Sequence, residues 1–578
     1  MINITLNGVK LQAQPNQTIL EVAAVNGIKI PTLCHLNMAD IKYHNNVGSC
    51  RVCMVEVEGR ANLMPACVTQ VWEGAVISTN TAKAIKARRT VVELFLSNHP
   101  KDCLSCERNR KCELQDLAAD LNIREDKYAG KIPKHTKDTS SRSIIRNPAK
   151  CVMCRRCETM CHDVQTVGVY SGTHRSLEAV VSTAFDYPML DTSCTFCGQC
   201  ISVCPTGALT QTSHIGEVWD AINDPEKVVI VQTAPAVRVA LGEEFGLPVG
   251  TRVTGKMVTA LRRMGFSRVY DTTFAADLTI MEEATELLNR IQNGGTLPML
   301  TSCCPAWVKF IEHQFPELLG VPSSCKSPHQ MLGAIAKTYL AQKLGVDPAK
   351  MVVVSVMPCV AKKYEAAREE LANDGHADVD YVITTREMAA MLREACIDFN
   401  SLPDEDFDKV MGESTGAAAI FGRTGGVIEA AVRTAVYKLT GKNPENVEFT
   451  QLRGQGGIRE ATIPVGDISL KIGIAHGLGN ARTLLENIRD GKSQYHAIEI
   501  MACPGGCVGG GGQPFYGNDR SVIAARAAGL NGEDKDKPAR CSHENKEVQA
   551  LYTEFLGEPG GHKAHELLHT KYTERGKV

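Results

Sequence analysis

The sequence predicts a multidomain chain, α+β in its first part and α/β in the remainder. Three observations carry this. The 23 cysteines of the 578 residues gather in short, separately spaced groups. The opening MINITLNGVKLQAQ alternates apolar and polar residues on either side of Asn7-Gly8, the best short signal for a type I′ hairpin turn. Further on, runs such as KVVIVQTAPAV and MVVVSV are apolar and short enough to be buried strands.

Length and charge bound the function. A chain of 578 residues holds about four domains. A net charge of -2 and a pI near 6.8 argue against nucleic acid or an anionic membrane as the main partner. No apolar run reaches the roughly 18 residues of a membrane helix, and the first residues show no signal-peptide pattern. A cytoplasmic location is therefore expected. There, 23 cysteines make a poor disulfide framework and a good supply of metal ligands.

The first group is Cys34, Cys50, Cys53 and Cys67. One C-x2-C pair with a cysteine on each side suits zinc or a [2Fe-2S] cluster, although structural zinc sites usually use two close pairs. With the hairpin and the helix-like TILEVAAVNG, the segment suits a small β-grasp domain and resembles the [2Fe-2S] domain that opens several multi-subunit dehydrogenases. The second group is His99, Cys103, Cys106 and Cys112 in SNHPKDCLSCERNRKC. A lone histidine is usually a cap or a surface residue, but a cubane needs four ligands and only three cysteines stand nearby. The pattern resembles the one-histidine, three-cysteine [4Fe-4S] site of the large electron-input subunit of respiratory complex I; zinc is the structural alternative.

The third group is the most specific. CVMCRRCETMC supplies Cys151, Cys154, Cys157 and Cys161; CTFCGQCISVCP supplies Cys194, Cys197, Cys200 and Cys204. Both are the bacterial C-x2-C-x2-C-x3-C run, in which the fourth cysteine ligates the other cluster. One cubane is therefore expected on Cys151, Cys154, Cys157 and Cys204, and its neighbour on Cys161, Cys194, Cys197 and Cys200. Four clusters in a row make an electron wire, and a wire implies a terminus.

Three later stretches set cysteine beside proline or glycine: TSCCPAW, MPCVAKKYE and EIMACPGGCVGGGGQP. TSCCP and MPC follow apolar runs, which places their cysteines on loops at strand ends, where open α/β sheets put their sites. Four converging thiolates suit a further cubane. TSCCP offers one thiol more than that needs.

These stretches match the signature set of [FeFe]-hydrogenases, and with the order of the earlier groups the resemblance covers almost the whole chain. It is similar to the large catalytic subunits of NAD(P)-linked, often electron-bifurcating, members. The resemblance implies an H-cluster: a cubane on Cys304, Cys359, Cys503 and Cys507, bridged through Cys507 to a diiron unit with CO, cyanide and aza-dithiolate. The glycines Gly505, Gly506 and Gly509 to Gly512 would let the backbone lie against it. Cys303 would be the first protein group on a proton path continuing through Glu283, Ser323, Glu286 and Arg290, although Glu286 and Arg290 alone read as a solvated i,i+4 pair. Lys362, otherwise a surface lysine, would bond one cyanide. Backbone at Pro235 and Ala236 would serve the other; some members have serine where Ala236 stands. Met357, Met501 and Phe421 would pack around the carbonyls, as core residues also would. His329 stands where a glutamine is usual.

The implied domains are 1–80 ([2Fe-2S] β-grasp), 81–140 (one-histidine [4Fe-4S]), 141–212 (two-[4Fe-4S] ferredoxin-like), 213–535 (H-cluster) and 536–578 (small-subunit-like). Cys325, Cys396 and Cys541 read as ordinary thiols, and His562, His565 and His569 as packing or surface residues. GLGNAR lacks the third glycine of a dinucleotide fingerprint. Flavin and NAD(P) are therefore expected on a partner subunit, with a small [2Fe-2S] subunit, ferredoxin and maturation proteins as further partners. Two rival readings are a complex-I-like electron-transfer subunit, which needs no TSCCP, and a non-catalytic relative serving iron–sulfur assembly, expected to lose Cys303, Lys362 or the glutamates.

Overall fold

Asn7 and Gly8 both take positive φ, 51° and 83°, and the turn joins antiparallel strands Ile2–Leu6 and Val9–Ala13 as the sequence predicts. Strand Val76–Ser78 returns parallel to Ile2–Leu6, and Met54–Val57 and Met64–Pro65 complete a five-stranded sheet. Helix Ile19–Val25 starts at Thr18, whose hydroxyl and Glu21 form a capping box. Ile4, Leu6, Ile19, Val22, Val55 and Ile77 form the core between them. Helices Ala82–Ser97 and Glu113–Asp120 follow, sharing a second core of Leu33, Val52, Val92, Leu114 and Leu117.

The computed structural model describes residues 1–125, 127–132, 134–465, 468–517 and 519–576. They divide into one unit of residues 1–163, 168–192 and 203–210, and another of 164–167, 193–202 and 211–578. The segment 141–212 is thus shared: Cys151, Cys154, Cys157, Cys161 and Cys204 fall in the first unit, Cys194, Cys197 and Cys200 in the second.

The second unit is built on two sheets. One is wholly parallel, in the order Arg268–Asp271, Val228–Thr233, Met351–Met357, Tyr381–Thr384. The other runs Met299–Thr301, Ala497–Met501, Ile468–His476, Ile458–Val465, parallel except for the last pair. Val229, Ile230, Val231, Val353 and Val354 are buried, which is why their strands read as continuous apolar runs. Helix Thr272–Gln292 carries Glu283, Glu286 and Arg290. It is capped by Asp271, which accepts from the Thr273 N–H at 3.0 Å and pairs with buried Arg238 at 2.6 Å.

Candidate functional site

Four loops leave the carboxyl ends of strands Val228–Thr233, Met299–Thr301, Met351–Met357 and Ala497–Met501 and meet around one cavity of about 60 Å³. Cys303, Cys304, Cys359, Cys503 and Cys507 all line it, with Pro235, Ala236, Met357, Phe421 and Met501. Local geometry presents the sulfurs. Cys304 is the N-cap of helix Pro305–Gln314 and receives the Trp307 and Ala502 N–H groups; Cys359 receives those of Ala361 and Lys362. Such donors favour the thiolate.

Burial opposes them. It raises the Cys304 thiol, and it pushes Cys359 up to about 12, helped by the Cys304 charge. Burial, and then the Cys359, Cys304 and Cys197 charges, lift Cys503 far above its ordinary value. Cys507 rises through its hydrogen bond with Cys303 and its burial, while that same bond holds Cys303 low, with Lys362 assisting. Packed soft thiols this costly to ionise together fit a multiply charged iron–sulfur group and fit poorly as a bare apolar core.

Lys362 is buried and lines the cavity, so it is no surface lysine. Its ammonium donates to Ser327 Oγ at 2.9 Å and Glu365 Oε2 at 2.8 Å. His329 Nδ1 lies 2.7 Å from the same oxygen, and its Nε2 is buried without a partner. Burial lowers the His329 pKa; Lys362 and the His329 bond overcome burial at Glu365 and bring it to about 2. Burial thus favours the neutral imidazole, whose Nδ1–H faces Glu365 and whose unpartnered Nε2 then carries a lone pair.

The carboxylates behind Cys303 form a hydrogen-bonded line. Thr301 donates to Glu283 Oε2 at 2.6 Å, Ser323 stands beside Glu283 and donates to Glu286 Oε2 at 2.8 Å, and Arg290 donates to Glu286 Oε1 at 2.5 Å. Burial raises Glu283 to about 7. The Glu286 and Arg290 side chains are only 17% and 15% exposed, so the solvated-pair reading fails: Arg290 also donates to the Val321 and Pro322 carbonyls. Among the described residues no direct bond joins Cys303 to Glu283.

The glycine run has a different explanation from the expected one. Gly505 and Gly506 take φ of 90° and 95°, and only Gly506 and Gly510 of the run line the cavity. A Cβ on Gly510 would meet the Pro358 carbonyl at 2.2 Å, and one on Gly511 the Gly198 backbone at 2.7 Å. Most of these glycines let protein backbone approach protein backbone. Gln199 Nε2 donates to the Gly509 carbonyl at 3.0 Å, so the CTFCGQC loop abuts the loop of Cys503.

In the first unit, the thiol of Cys34 is hydrogen-bonded with those of Cys50 and Cys67, and that of Cys53 with Cys67, all four buried and free. Cys151, Cys154, Cys157 and Cys204 line one cavity. His99 is buried with Nδ1 unpartnered, its pKa lowered to about 4 by burial and then by Lys150; Cys103 is exposed and Cys106 and Cys112 are half-buried. Cys161 accepts the Val169 N–H at 3.3 Å; in the second unit, the Phe196 N–H donates to Cys194 at 3.4 Å. The sequence reading missed Glu365 and Thr301, although Glu365 stands three residues after Lys362 on one helix and Thr301 opens TSCCP.

A thiol-lined cavity at strand ends, with a hydrogen-bonded line of buried carboxyl groups in the same unit, has the make-up of an iron–sulfur redox enzyme. Residues 227–511 match the iron-only hydrogenase large subunit, C-terminal domain, and 520–575 the iron hydrogenase small subunit. Residues 1–82 match a 2Fe-2S cluster binding domain, 88–127 the NADH-ubiquinone oxidoreductase-G iron-sulfur binding region, and 150–208 a 4Fe-4S dicluster domain. The chain is 55% identical to the NADP-reducing hydrogenase subunit HndD of Solidesulfovibrio fructosivorans over 100% of both. It is 40% identical to iron hydrogenase 1 of Clostridium pasteurianum over 99% of this chain and 100% of that one. The structure of a variant of [FeFe]-hydrogenase HydA1 from Chlamydomonas reinhardtii, 41% identical, superposes with a TM-score of 0.58 over 63% of this chain and 100% of that one. The chain belongs to the iron-only, or [FeFe], hydrogenases. It is an oxidoreductase acting on H2, with iron–sulfur domains joined to an H-cluster domain. Among the described residues no helix is long and apolar enough to cross a membrane.

Proposed function

We propose that Cys304, Cys359, Cys503 and Cys507 hold a cubane, with Cys507 also bridging to a diiron unit bearing CO, cyanide and aza-dithiolate. The observation that carries this is the convergence of those thiols and Lys362 on one apolar-walled cavity. When bound, such a unit supplies an open iron position and an internal base for 2H⁺ + 2e⁻ ⇌ H2. The chain's residues do the rest. Lys362, anchored by Glu365, offers its remaining ammonium hydrogen to an anionic ligand. Pro235 and Ala236 backbone serve a second, and Met357, Met501 and Phe421 keep water out.

Cys303 lines this cavity and also a neighbouring one with Ser302, Ser327 and Glu365. It takes the proton out of the cavity, and one bridging water would span the remaining distance to Glu283. With a pKa of about 7, Glu283 accepts and releases protons at working pH. Ser323 has a single hydrogen between two carboxyl groups, so it relays outward only if Glu283 gives up its proton as Glu286 takes one up, and inward by the reverse. Arg290 steadies Glu286 near the surface.

Electrons travel over a [2Fe-2S] cluster on Cys34, Cys50, Cys53 and Cys67, a cubane on His99, Cys103, Cys106 and Cys112, and the two ferredoxin-type cubanes assigned from the sequence. The nearness of Cys197 to Cys503, whose thiol its charge helps raise, supports the last hand-over at this point. The likeness to HndD and to the NADH-ubiquinone oxidoreductase-G region supports an NAD(P)-linked, multisubunit, cytoplasmic enzyme. In it residues 1 to about 125 dock on a flavoprotein subunit beside a small [2Fe-2S] subunit, with ferredoxin as a further electron partner. Infrared spectroscopy of the matured protein tests the site: bands of iron-bound CO and CN⁻, with about twenty irons per chain, are expected. Their absence, or stoichiometric zinc in place of iron, would overturn the ligand sets.

A further inference from the structure

A second set of metal-ligating side chains lies beside the carboxylate line. Residues 324–326 and 568–570 form a short antiparallel ladder: Lys326 N–H donates to the Leu568 carbonyl at 2.7 Å and Thr570 N–H to the Ser324 carbonyl at 2.8 Å. The ladder sets Cys325 opposite His569. The Cys325 sulfur is 4.0 Å from His569 Nδ1 and 3.9 Å from Glu286 Oε2, and donor atoms of the three residues all lie within 4.8 Å of one another.

We propose that Glu286, Cys325 and His569 bind a zinc-class divalent cation that blocks proton movement. Thiolate, imidazole and carboxylate are the donors zinc takes, and its ordinary bond lengths hold sulfur and nitrogen about 3.6 Å apart. The observed spacing closes to that with shifts of a few tenths of an ångström. The surrounding shell is already in place. His569 Nε2 lies 3.0 Å from Glu282 Oε2, and Glu282 is fully buried, held by the Tyr552 hydroxyl and the Gly560 N–H. A carboxylate on the far ring nitrogen fixes the tautomer that leaves Nδ1 free to ligate. Nδ1 meanwhile accepts from Ser324 Oγ at 2.8 Å. Glu286 keeps Oε1 on Arg290 and offers Oε2. Burial and the Glu283, Glu286 and Glu282 charges make the Cys325 thiolate costly by itself; a divalent cation at the centre reverses that balance.

The cation would take Glu286 Oε2 from the Ser323 hydroxyl and so cut the proton line. That consequence rests on the proton route proposed above; the binding does not. The test is zinc chloride added to anaerobic, fully iron-loaded protein, followed by dialysis, metal analysis and zinc K-edge absorption. One retained zinc per chain is expected, with one sulfur near about 2.3 Å and nitrogen or oxygen near about 2.0–2.2 Å. Cys325→Ser and His569→Gln should lose it with iron content intact, and Glu282→Gln should weaken it about 10–100-fold. Dye-linked H2 oxidation should fall about 100-fold with zinc and recover with chelator, whereas Cys325→Ser and His569→Gln should stay active and insensitive. No retained zinc, equal retention by both variants, or an all-sulfur shell that puts zinc in a cluster site would each overturn the proposal. Zinc held in the expected shell without inhibition would leave the site standing and overturn the place of Glu286 in the proton route.

Discussion

Cys103 and Cys304 offer the same ligand atom in opposite surroundings. Cys103 is exposed, and its neighbours Cys106 and Cys112 are half-buried, with Lys150 bonded to Cys106 and to Asp102 at 2.9 Å. Cys304, Cys359 and Cys503 are buried, and the cation among them, Lys362, is itself buried and tied to Glu365. A site that passes only electrons tolerates water, and exposure and hydrogen bonds to sulfur then tune its potential. A site that also handles protons, as proposed for the cavity of Cys304, is expected to exclude water. The polar groups of the second unit are gathered at that cavity: Cys303, Lys362 and His329 all line it, and Cys303 shares a neighbouring pocket with Glu365, which holds Lys362.

The strongest way to break the contrast lies in two adjacent residues. Cys304→Ser should disturb the cofactor's infrared bands and abolish turnover, because a ligand is lost. Cys303→Ser should keep the bands and lower turnover about 10²–10⁴-fold, because only proton transfer is cut. Equal loss of bands in both variants would erase the division of labour. The exposed end is tested by deleting residues 1–80. That should abolish NAD(P)-linked turnover by the assembled complex while dye-linked turnover survives, and simultaneous loss of both would show the β-grasp domain to be structural instead of a relay.

Much of this contrast was legible in the sequence because cysteine spacing is chemistry written locally. The hairpin at Asn7-Gly8 and the strand-end placement of TSCCP and MPC follow from short-range pattern, whereas the line Glu283, Glu286, Arg290 came only from the family resemblance, its local pattern reading as a solvated pair. The use of the glycine run was less legible. Whether a glycine faces a cofactor or the Pro358 carbonyl depends on a contact about 150 residues away in the chain, which no local pattern encodes. For the same reason Cys325 and His569 read as ordinary residues: they meet only through a ladder between segments 244 positions apart.

A smaller effect sharpens the electrostatics of the buried side. Burial raises Glu283 from 4.5 to about 7, so the native state holds its proton more tightly than the unfolded chain does. Its stability is therefore full below about pH 4.5 and declines as pH rises toward 7, by at most about 3 kcal/mol at 1.36 kcal/mol per unit. Glu283→Gln removes this penalty. Relative to wild type, the variant should gain thermal stability at about pH 8 and not at about pH 5, while losing turnover. An equal shift at both pH values would mean that Glu283 is not a buried acid.

The smallest expected effect concerns His329, the position where a glutamine is usual. Its Nδ1–H is committed to Glu365 at 2.7 Å, and Glu365 also holds Lys362. A glutamine amide can make that same donation, so His329→Gln should leave Lys362 anchored and keep turnover within about ten-fold. It does remove the lone pair of the unpartnered Nε2 from the cavity wall, and a shift of the CO and CN⁻ bands should report that change. His329→Ala is different: Glu365 stays buried and anionic with one partner fewer, at a cost of about 1–3 kcal/mol. Because burial lowers the imidazole pKa, the ratio of wild-type to His329→Gln activity should be flat between about pH 6 and 8. A break in that ratio near the ordinary histidine pKa would show that the imidazole charges in the working enzyme, and the neutral, acceptor-bearing His329 would have to be abandoned.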